Sequence, residues 1–343
     1  MRSRGDAIDA ALDHVVETGA GVIPDLGDPL AGALHHLRMD GMFYCLSELT
    51  APWGLTLPPM PDCLWFHVVT DGECGLVAED GATVTARAGD VVLFPHGTGH
   101  VAADRPDSPT PVVLDLPHHY ISRHYAMLEH GGGGEACRVV CGVVHLGHPA
   151  ARMLIEALPS LIHIDAAYGR EHWPWLSSLL ALMAAEAEAM RPGGETVITR
   201  LSDILVVQAI RAWIETEPGA QTGWLHALRD PLVGRAIALV HADPARDWTV
   251  ASLAREVGAS RSGLSARFTE LLDVSPKQYI TNWRMALAED WLRDPTRGIL
   301  EIALALGYQS EAAFSRAFKR ETGIPPSAAR RRPDPSALVE VAN

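Results

Sequence analysis

Two stretches in the last third of the chain are copies of one pattern, and that duplication restricts the fold more than any other feature. Residues 248–268 read WTVASLAREVGASRSGLSARF, and residues 298–320 read GILEIALALGYQSEAAFSRAFKR. Ala254 matches Ala303, Val257 matches Leu306 and Gly258 matches Gly307, all at an offset of 49. One extra residue in the second turn raises the offset to 50, so that Leu264 matches Phe314, Ser265 matches Ser315 and Phe268 matches Phe318. Val274-Ser-Pro276 then matches Ile324-Pro-Pro326. A repeat of this length is a repeated supersecondary unit.

Each copy has the chemistry of a helix-turn-helix. The small Ala lets two helices approach closely, and the Gly supplies the left-handed backbone of the sharp turn. Leu264/Phe268 and Phe314/Phe318 are i,i+4 pairs that bury one stripe of the second helix. The opposite stripe stays free to enter a major groove. Charge agrees: residues 226–332 hold 16 Lys and Arg against 12 Asp and Glu, a net of +4, whereas residues 1–225 hold 12 against 28, a net of −16. The basic share sits where phosphates would be met, and the acidic remainder opposes non-specific adhesion.

Residues 228–331 resemble the DNA-binding domain of AraC-type bacterial transcription regulators. The resemblance includes both helix-turn-helix units, the connecting run PKQYITNWRMALA from Pro276, and the late signature Ile302-Ala…Gly307-Tyr…Phe314-Ser-Arg-Ala-Phe318-Lys…Gly323-Ile-Pro-Pro326. It implies two helical subdomains joined by a connecting helix, with recognition helices in successive major grooves about 34 Å apart. Base-edge readers would lie at Arg261, Ser262, Ser265 and Ala266 in the first unit, and at Glu311, Ala312 and Arg316 in the second. The short side chains among them cannot make bidentate contacts, so direct readout leans on Arg261 and Arg316. Arg267, Lys319 and Arg320 are expected on phosphates, which position without specifying. A solvated surface role remains open for each of these cations. Ser260 and Ser310 are expected helix caps.

Residues 40–146 show short apolar runs broken by Gly, Pro and Asp, the pattern of many short strands. Runs beginning at Phe43, Leu64, Gly75, Thr83, Asp90, Pro111 and Cys137 read as strands of a sandwich or barrel. The segment GDVVLFPHGTGH, from Gly89 to His100, resembles the second motif of cupin barrels, and Gly72 suits the turn closing the first. The usual cupin metal set is missing. The glutamate position holds Trp65, the paired histidines fall among Pro58, Met60 and Pro61, and only His100 remains. This departure weighs against a cupin enzyme carrying a helical appendage.

Strand alternation puts Cys63, Trp65 and His67 on one face, where His67 could approach His100. With Cys45 and Cys141 from other strands, a Cys45/His67/His100/Cys141 cluster has donors suited to Zn(II) or Cu(I), or to thiol oxidation. Plain packing and barrel polarity remain the alternative for all four residues. The same region resembles a cupin-type sensor branch of AraC-type regulators, on Cys45, His67…Gly72, Gly89…Pro95…His100 and Cys141-Gly142…His148. Regulators answering reactive chlorine species belong to that branch, and the resemblance implies Cys45 and Cys141 as sensing cysteines. A barrel that binds a small organic ligand, with incidental cysteines, stays open beside it.

The run Gly131–Gly134 reads as a disordered loop between strands, with no phosphate motif attached. From Pro149 the chain turns helical. Residues 151–158 form a short amphipathic helix, and helices over 175–190 and 195–214 flank the stop Arg191-Pro-Gly-Gly194. Their apolar surface exceeds one stripe, which either the barrel or a second copy must cover. The expected class is α+β and multidomain: a cupin-like sensor over 1–148, a helical linker and dimerisation segment over 149–225, an all-α double helix-turn-helix domain over 226–332, and a tail over 333–343. No apolar leader or membrane span is apparent, since Asp6, Asp9, Asp13, His14 and Glu17 interrupt the start. The chain is thus expected to be a cytoplasmic transcription regulator of the activator kind and not an enzyme. Its expected partners are double-stranded promoter DNA, RNA polymerase, a second copy of itself, and a small-molecule or oxidant effector.

Overall fold

The structure, a computed structural model, describes residues 39–146, 148–167, 171, 173–189, 191–216 and 223–330. The acidic N-terminal positions, residues 217–222 of the expected linker and the tail lie outside them. Ten strands come first among the described residues, and an eleventh follows the first α-helix: β1 (Met39–Thr50), β2 (Gly54–Leu57), β3 (Cys63–Asp71), β4 (Glu73–Ala78), β5 (Thr83–Arg87), β6 (Val91–Phe94), β7 (His100–Ala103), β8 (His119–Tyr120), β9 (Tyr125–Gly131), β10 (Ala136–Leu146) and β11 (Ile162–Ile164). They form a seven-stranded sheet in the order β11-β6-β3-β10-β1-β9-β8 and a four-stranded sheet in the order β2-β7-β4-β5.

The large sheet is buried on both faces, which explains why β3 is apolar at successive positions. Cys63, Trp65 and Val69 face inward with Val92, Phe94, Val139 and Val143. Leu64, Phe66 and Val68 face outward and join a second core with Tyr44, Leu46, Val140 and Val144. Helices α1 (Pro149–Glu156), α2 (Pro174–Ala189) and α3 (Gly194–Thr216) supply the cover for that outer face. Tyr125 Oη on β9 donates to the Ala187 carbonyl of α2 at 3.1 Å. The helical pair therefore packs on the barrel, yet Leu182, Val197 and Ile204 stay exposed.

Two expectations fail. Pro111–Leu114 is not a full strand: Val112 makes an isolated bridge to Thr56, and Val113–Asp115 closes a 3-10 turn. The glycine run is an ordered turn pressed onto the end of β1. The amides of Gly132 and Gly134 donate to the Thr50 and Ala51 carbonyls at 2.9 and 2.8 Å. A Cβ at Gly131 would lie 1.9 Å from the Thr50 oxygen, and one at Gly132 2.5 Å from the Pro52 ring. Close backbone approach, not slackness, explains these glycines.

The remaining helices are α4 (Gly223–Arg229), α5 (Val233–Ala242), α6 (Val250–Glu256), α7 (Arg261–Leu272), α8 (Pro276–Arg293), α9 (Ile299–Ala305), α10 (Glu311–Thr322) and α11 (Pro326–Ala329). The pairs α6/α7 and α9/α10 are the two repeats, and α8 joins them. Ala254 and Ala303 are buried, as are Leu264, Phe268, Phe314 and Phe318. Among the described residues no helix is long and apolar enough to cross a membrane.

Candidate functional site

The reading helices α7 and α10 begin at matched caps. Ser260 Oγ accepts from the Gly263 amide at 3.0 Å, and Ser310 Oγ from the Ala313 amide at 3.2 Å. Both turn glycines are left-handed, with φ of 72° at Gly258 and 80° at Gly307. Arg261, Ser262 and Ala266 are exposed on α7, with Ser265 half-buried. Glu311, Ala312, Arg316, Lys319 and Arg320 are exposed on α10. Among the described residues Arg261, Arg316 and Lys319 enter no ion pair, unlike Arg267 and Arg320 on the same helices.

Arg267 and Arg320 are placed differently. Arg267 Nε donates to Asp230 at 2.8 Å, and its Nη1 lies 2.8 Å from Glu270. Asp230 also accepts from the Leu232 and Val233 amides, capping α5. Arg267 thus ties α7 to the α4–α5 turn, which leaves little charge for a phosphate. Arg320 Nε donates to Glu321 at 2.8 Å and is partly neutralised.

Sequence reasoning missed Arg284 on α8. Its Nε donates to the Pro244 carbonyl at 2.8 Å and its Nη2 to the Arg246 carbonyl at 2.7 Å, while its guanidinium lies 5.8 Å over the Tyr308 ring. A Cβ at Gly307 would sit 2.2 Å from the Ala245 oxygen. The second turn therefore abuts the loop before the first unit, and one arginine fastens both. Only the three-dimensional contact reveals this, because residues 244–246 and 307–308 have no pattern linking them.

Inside the barrel, strand register assembles the expected cluster. Cys45 on β1 is opposite Cys141 on β10, and Cys141 is opposite His67 on β3. His67 Nδ1 lies 3.1 Å from Cys141 Sγ, and its Nε2 lies 2.7 Å from His100 Nε2 on β7. Ser47 Oγ donates to Cys45 Sγ at 3.7 Å. His100 stacks on Phe94 with ring centroids 3.8 Å apart. Burial, with His100 alongside, drives the His67 imidazole far below its ordinary range; burial lowers His100 to about 4. Burial likewise pushes the Cys45 thiol up to about 11 and, with Cys45 beside it, holds the Cys141 thiol well above its ordinary value. The resting site is therefore neutral throughout, two thiols and two imidazoles.

These four side chains do not fit a metal. His67 uses one ring nitrogen toward Cys141 and the other toward His100, so an ion on either nitrogen would break a contact of the cluster. Among the described residues no group of three or more His, Cys, Asp or Glu side chains is disposed to hold an ion. Cys45, His67 and Cys141 border a void of about 40 Å³, lined also by Phe43, Trp53, Trp65 and Cys74.

A family model described as a cupin matches residues 28–215, and one described as a helix-turn-helix domain matches residues 253–332. A putative AraC-like transcription regulator of Streptomyces lividans is 38% identical over 310 residues, 89% of this chain and 99% of that one. The HTH-type transcriptional regulator AlkR of Acinetobacter baylyi is 31% identical over 299 residues, 86% of this chain and 96% of that one. The chain is an AraC-type transcription regulator. It is also similar to the RCS-specific HTH-type transcriptional activator RclR of Escherichia coli K-12, 26% identical over 267 residues, 78% of this chain and 84% of that one. An AraC-type regulator binds double-stranded DNA through its helix-turn-helix domain, which gives the exposed cations of α7 and α10 their setting.

The regulator's two halves meet at the connecting helix. Strand β10 carries Cys141 and ends next to α1, whose cap His148 accepts from the Ala150 amide at 3.2 Å. The His148 ring lies 5.9 Å from Trp283 of α8, and Trp283 stacks on His241 at 3.6 Å. Arg293 Nη2 at the far end of α8 pairs with Asp62 of the barrel at 3.4 Å. Burial raises the Asp290 carboxyl between them, against the pull of Arg152 and Arg293.

Proposed function

We propose that this cytoplasmic regulator senses a small uncharged oxidant inside its barrel and reports it to the promoter through α8. The observation that carries the reading is Cys45 opposite Cys141 at the edge of a void of about 40 Å³. A void of that size admits roughly three waters. Pockets for organic ligands run to ~300–1,000 Å³. A neutral, apolar chamber excludes ions and favours a small neutral reagent. Two thiols would then lose two electrons and two protons to the oxidant and join as a disulfide between β1 and β10. The strained pair would shift β10, and the contacts of α1 with α8 would follow as a population shift.

The test is to treat reduced full-length protein with one equivalent of hypochlorous acid and measure promoter affinity. Wild type should change affinity, whereas Cys45→Ser and Cys141→Ser should bind DNA without responding. Variants that respond like wild type would overturn the assignment. An organic inducer that shifts the melting temperature of both variants as it does wild type would favour the ligand reading.

For DNA, Arg261 and Arg316 carry base readout in this proposal, helped by Ser262, Ser265, Ala266, Glu311 and Ala312, and Lys319 neutralises phosphate. The boundaries 149–225 and 226–332 enclose the dimerising and reading parts. Leu182 on α2 and Val197 and Ile204 on α3 form the apolar face a second copy would cover. Paired copies would read paired half-sites and present the complex to RNA polymerase.

A further inference from the structure

Cys74 and Cys137 were unremarkable in the sequence, yet they meet across the barrel. Cys74 is on β4 of the four-stranded sheet, and Cys137 is on β10 of the seven-stranded sheet. Both side chains lie in the inner core, almost wholly buried, and their thiols are hydrogen-bonded to each other. The backbones are close as well: a Cβ at Gly72, two residues before Cys74, would lie 3.0 Å from the Cys137 Cα. Cys74 borders the same void as Cys45 and Cys141.

We infer that Cys74 and Cys137 are a second thiol–disulfide couple, which staples the two sheets to each other when a hypohalous acid enters the barrel. The hydrogen bond divides the labour within the pair. The bond from Cys74 holds the Cys137 thiol below its ordinary value, while the same bond and burial drive Cys74 up. Cys45, Cys63 and Cys141 are all raised, mainly by burial. Cys74 borders the void, so its sulfur takes the chlorine of HOCl, forming S–Cl and water as the thiol proton leaves. The Cys137 sulfur then displaces chloride from Cys74, thiolate being the attacking form, and the S–S bond forms as the Cys137 proton is lost. In sum, two thiols and HOCl give one disulfide, HCl and water; sulfur is oxidised by two electrons and chlorine reduced by two.

The inference does not rest on the Cys45–Cys141 reading, and the test keeps them apart. Full-length Cys45→Ser/Cys141→Ser protein is reduced, treated with one equivalent of hypochlorous acid, alkylated and digested without reductant. A disulfide-linked peptide pair containing Cys74 and Cys137 is expected, with the same pair from wild type given a second equivalent. Adding Cys74→Ser should remove it and leave Cys137 reactive as a single thiol. The link should raise the melting temperature by roughly several degrees, because it ties a long loop in the unfolded chain. Recovery of Cys74 and Cys137 both alkylated after the oxidant is consumed would overturn the inference. So would Cys137 oxidised to the sulfinic or sulfonic acid with no linked peptide, or Cys74 joined to Cys63.

Discussion

His67 and His100 face each other with their Nε2 atoms 2.7 Å apart, and they belong to different sheets. One ring must donate and the other accept, so the bridge is lost once both imidazoles are charged. Both are held below the ordinary histidine range, His100 at about 4. In the unfolded chain they titrate near ~6.5. Below that pH the unfolded state binds protons the folded state refuses. The stability contributed is therefore whole above ~6.5 and is lost as pH falls toward about 4 for His100. Denaturant midpoints measured between pH 7 and 5 should drop. His100→Gln should flatten that drop by up to ~1.4 kcal/mol per pH unit. An unchanged slope would show that the bridge does not set acid sensitivity.

Arg316 and Lys319 sit one turn apart on α10, and the proposed reading gives them different tasks. Arg316→Ala should relax base preference at one position, at a cost of about 1–3 kcal/mol for the preferred site. Lys319→Ala should weaken all sequences alike and reduce the salt slope by about one. Binding to a randomised operator pool reads both. Equal loss of specificity in the two variants would refute the division.

Arg284 is not among the reading positions, yet it ties the turn of the second unit to the loop before the first. Arg284→Lys keeps the charge but gives up the fork that reaches both the Pro244 and Arg246 carbonyls. Affinity for an operator with correctly spaced halves should fall severalfold. Operators with one altered spacing should lose less.

Gly258 and Gly307 occupy matched turns but differ in surroundings. An alanine at Gly258 meets nothing within 4 Å and costs only the left-handed backbone, about 1–2 kcal/mol. An alanine at Gly307 adds a contact of 2.2 Å with the Ala245 carbonyl. Urea unfolding should show Gly307→Ala clearly the worse of the two. Equal losses would mean that the units yield to one another freely.

Arg293→Ala separates coupling from stability. Its ion pair with Asp62 is about a third exposed on both sides and worth ~0–1 kcal/mol. Melting temperature and basal DNA affinity should barely move, while the response of transcription to oxidant should shrink. A full response would place the coupling elsewhere.

Ile204→Glu on α3 should lower the apparent mass in sedimentation toward one chain, and leave the fold intact because the side chain is exposed. An unaltered mass would exclude that face as the contact between copies.

The helix-turn-helix units were legible because a duplication states its own boundaries and its buried pairs. The parity of Cys63, Trp65 and His67 was legible for the same kind of reason, a period of two. What stayed hidden depends on contacts between distant strands. Cys45 faces Cys141 through the register of β1 with β10, and Cys74 reaches Cys137 only because two sheets close on each other. Parity says which side of a strand a residue occupies, never which strand lies beyond. The glycine run misled because tight contact and slackness select the same residue.

Strand β10 runs unbroken from Ala136 to Leu146 between β3 and β1, and seven residues past Cys141 the chain reaches His148 against α8. Cys137, Cys141 and His145 share its inner side, and His148 leans on Trp283 just past its end. Such a rod transmits displacement along its length more readily than it absorbs it. If the barrel is the sensor proposed above, exchange of the side chains lining the chamber would retune which stimulus is heard, while the contacts around Trp283 stay as they are.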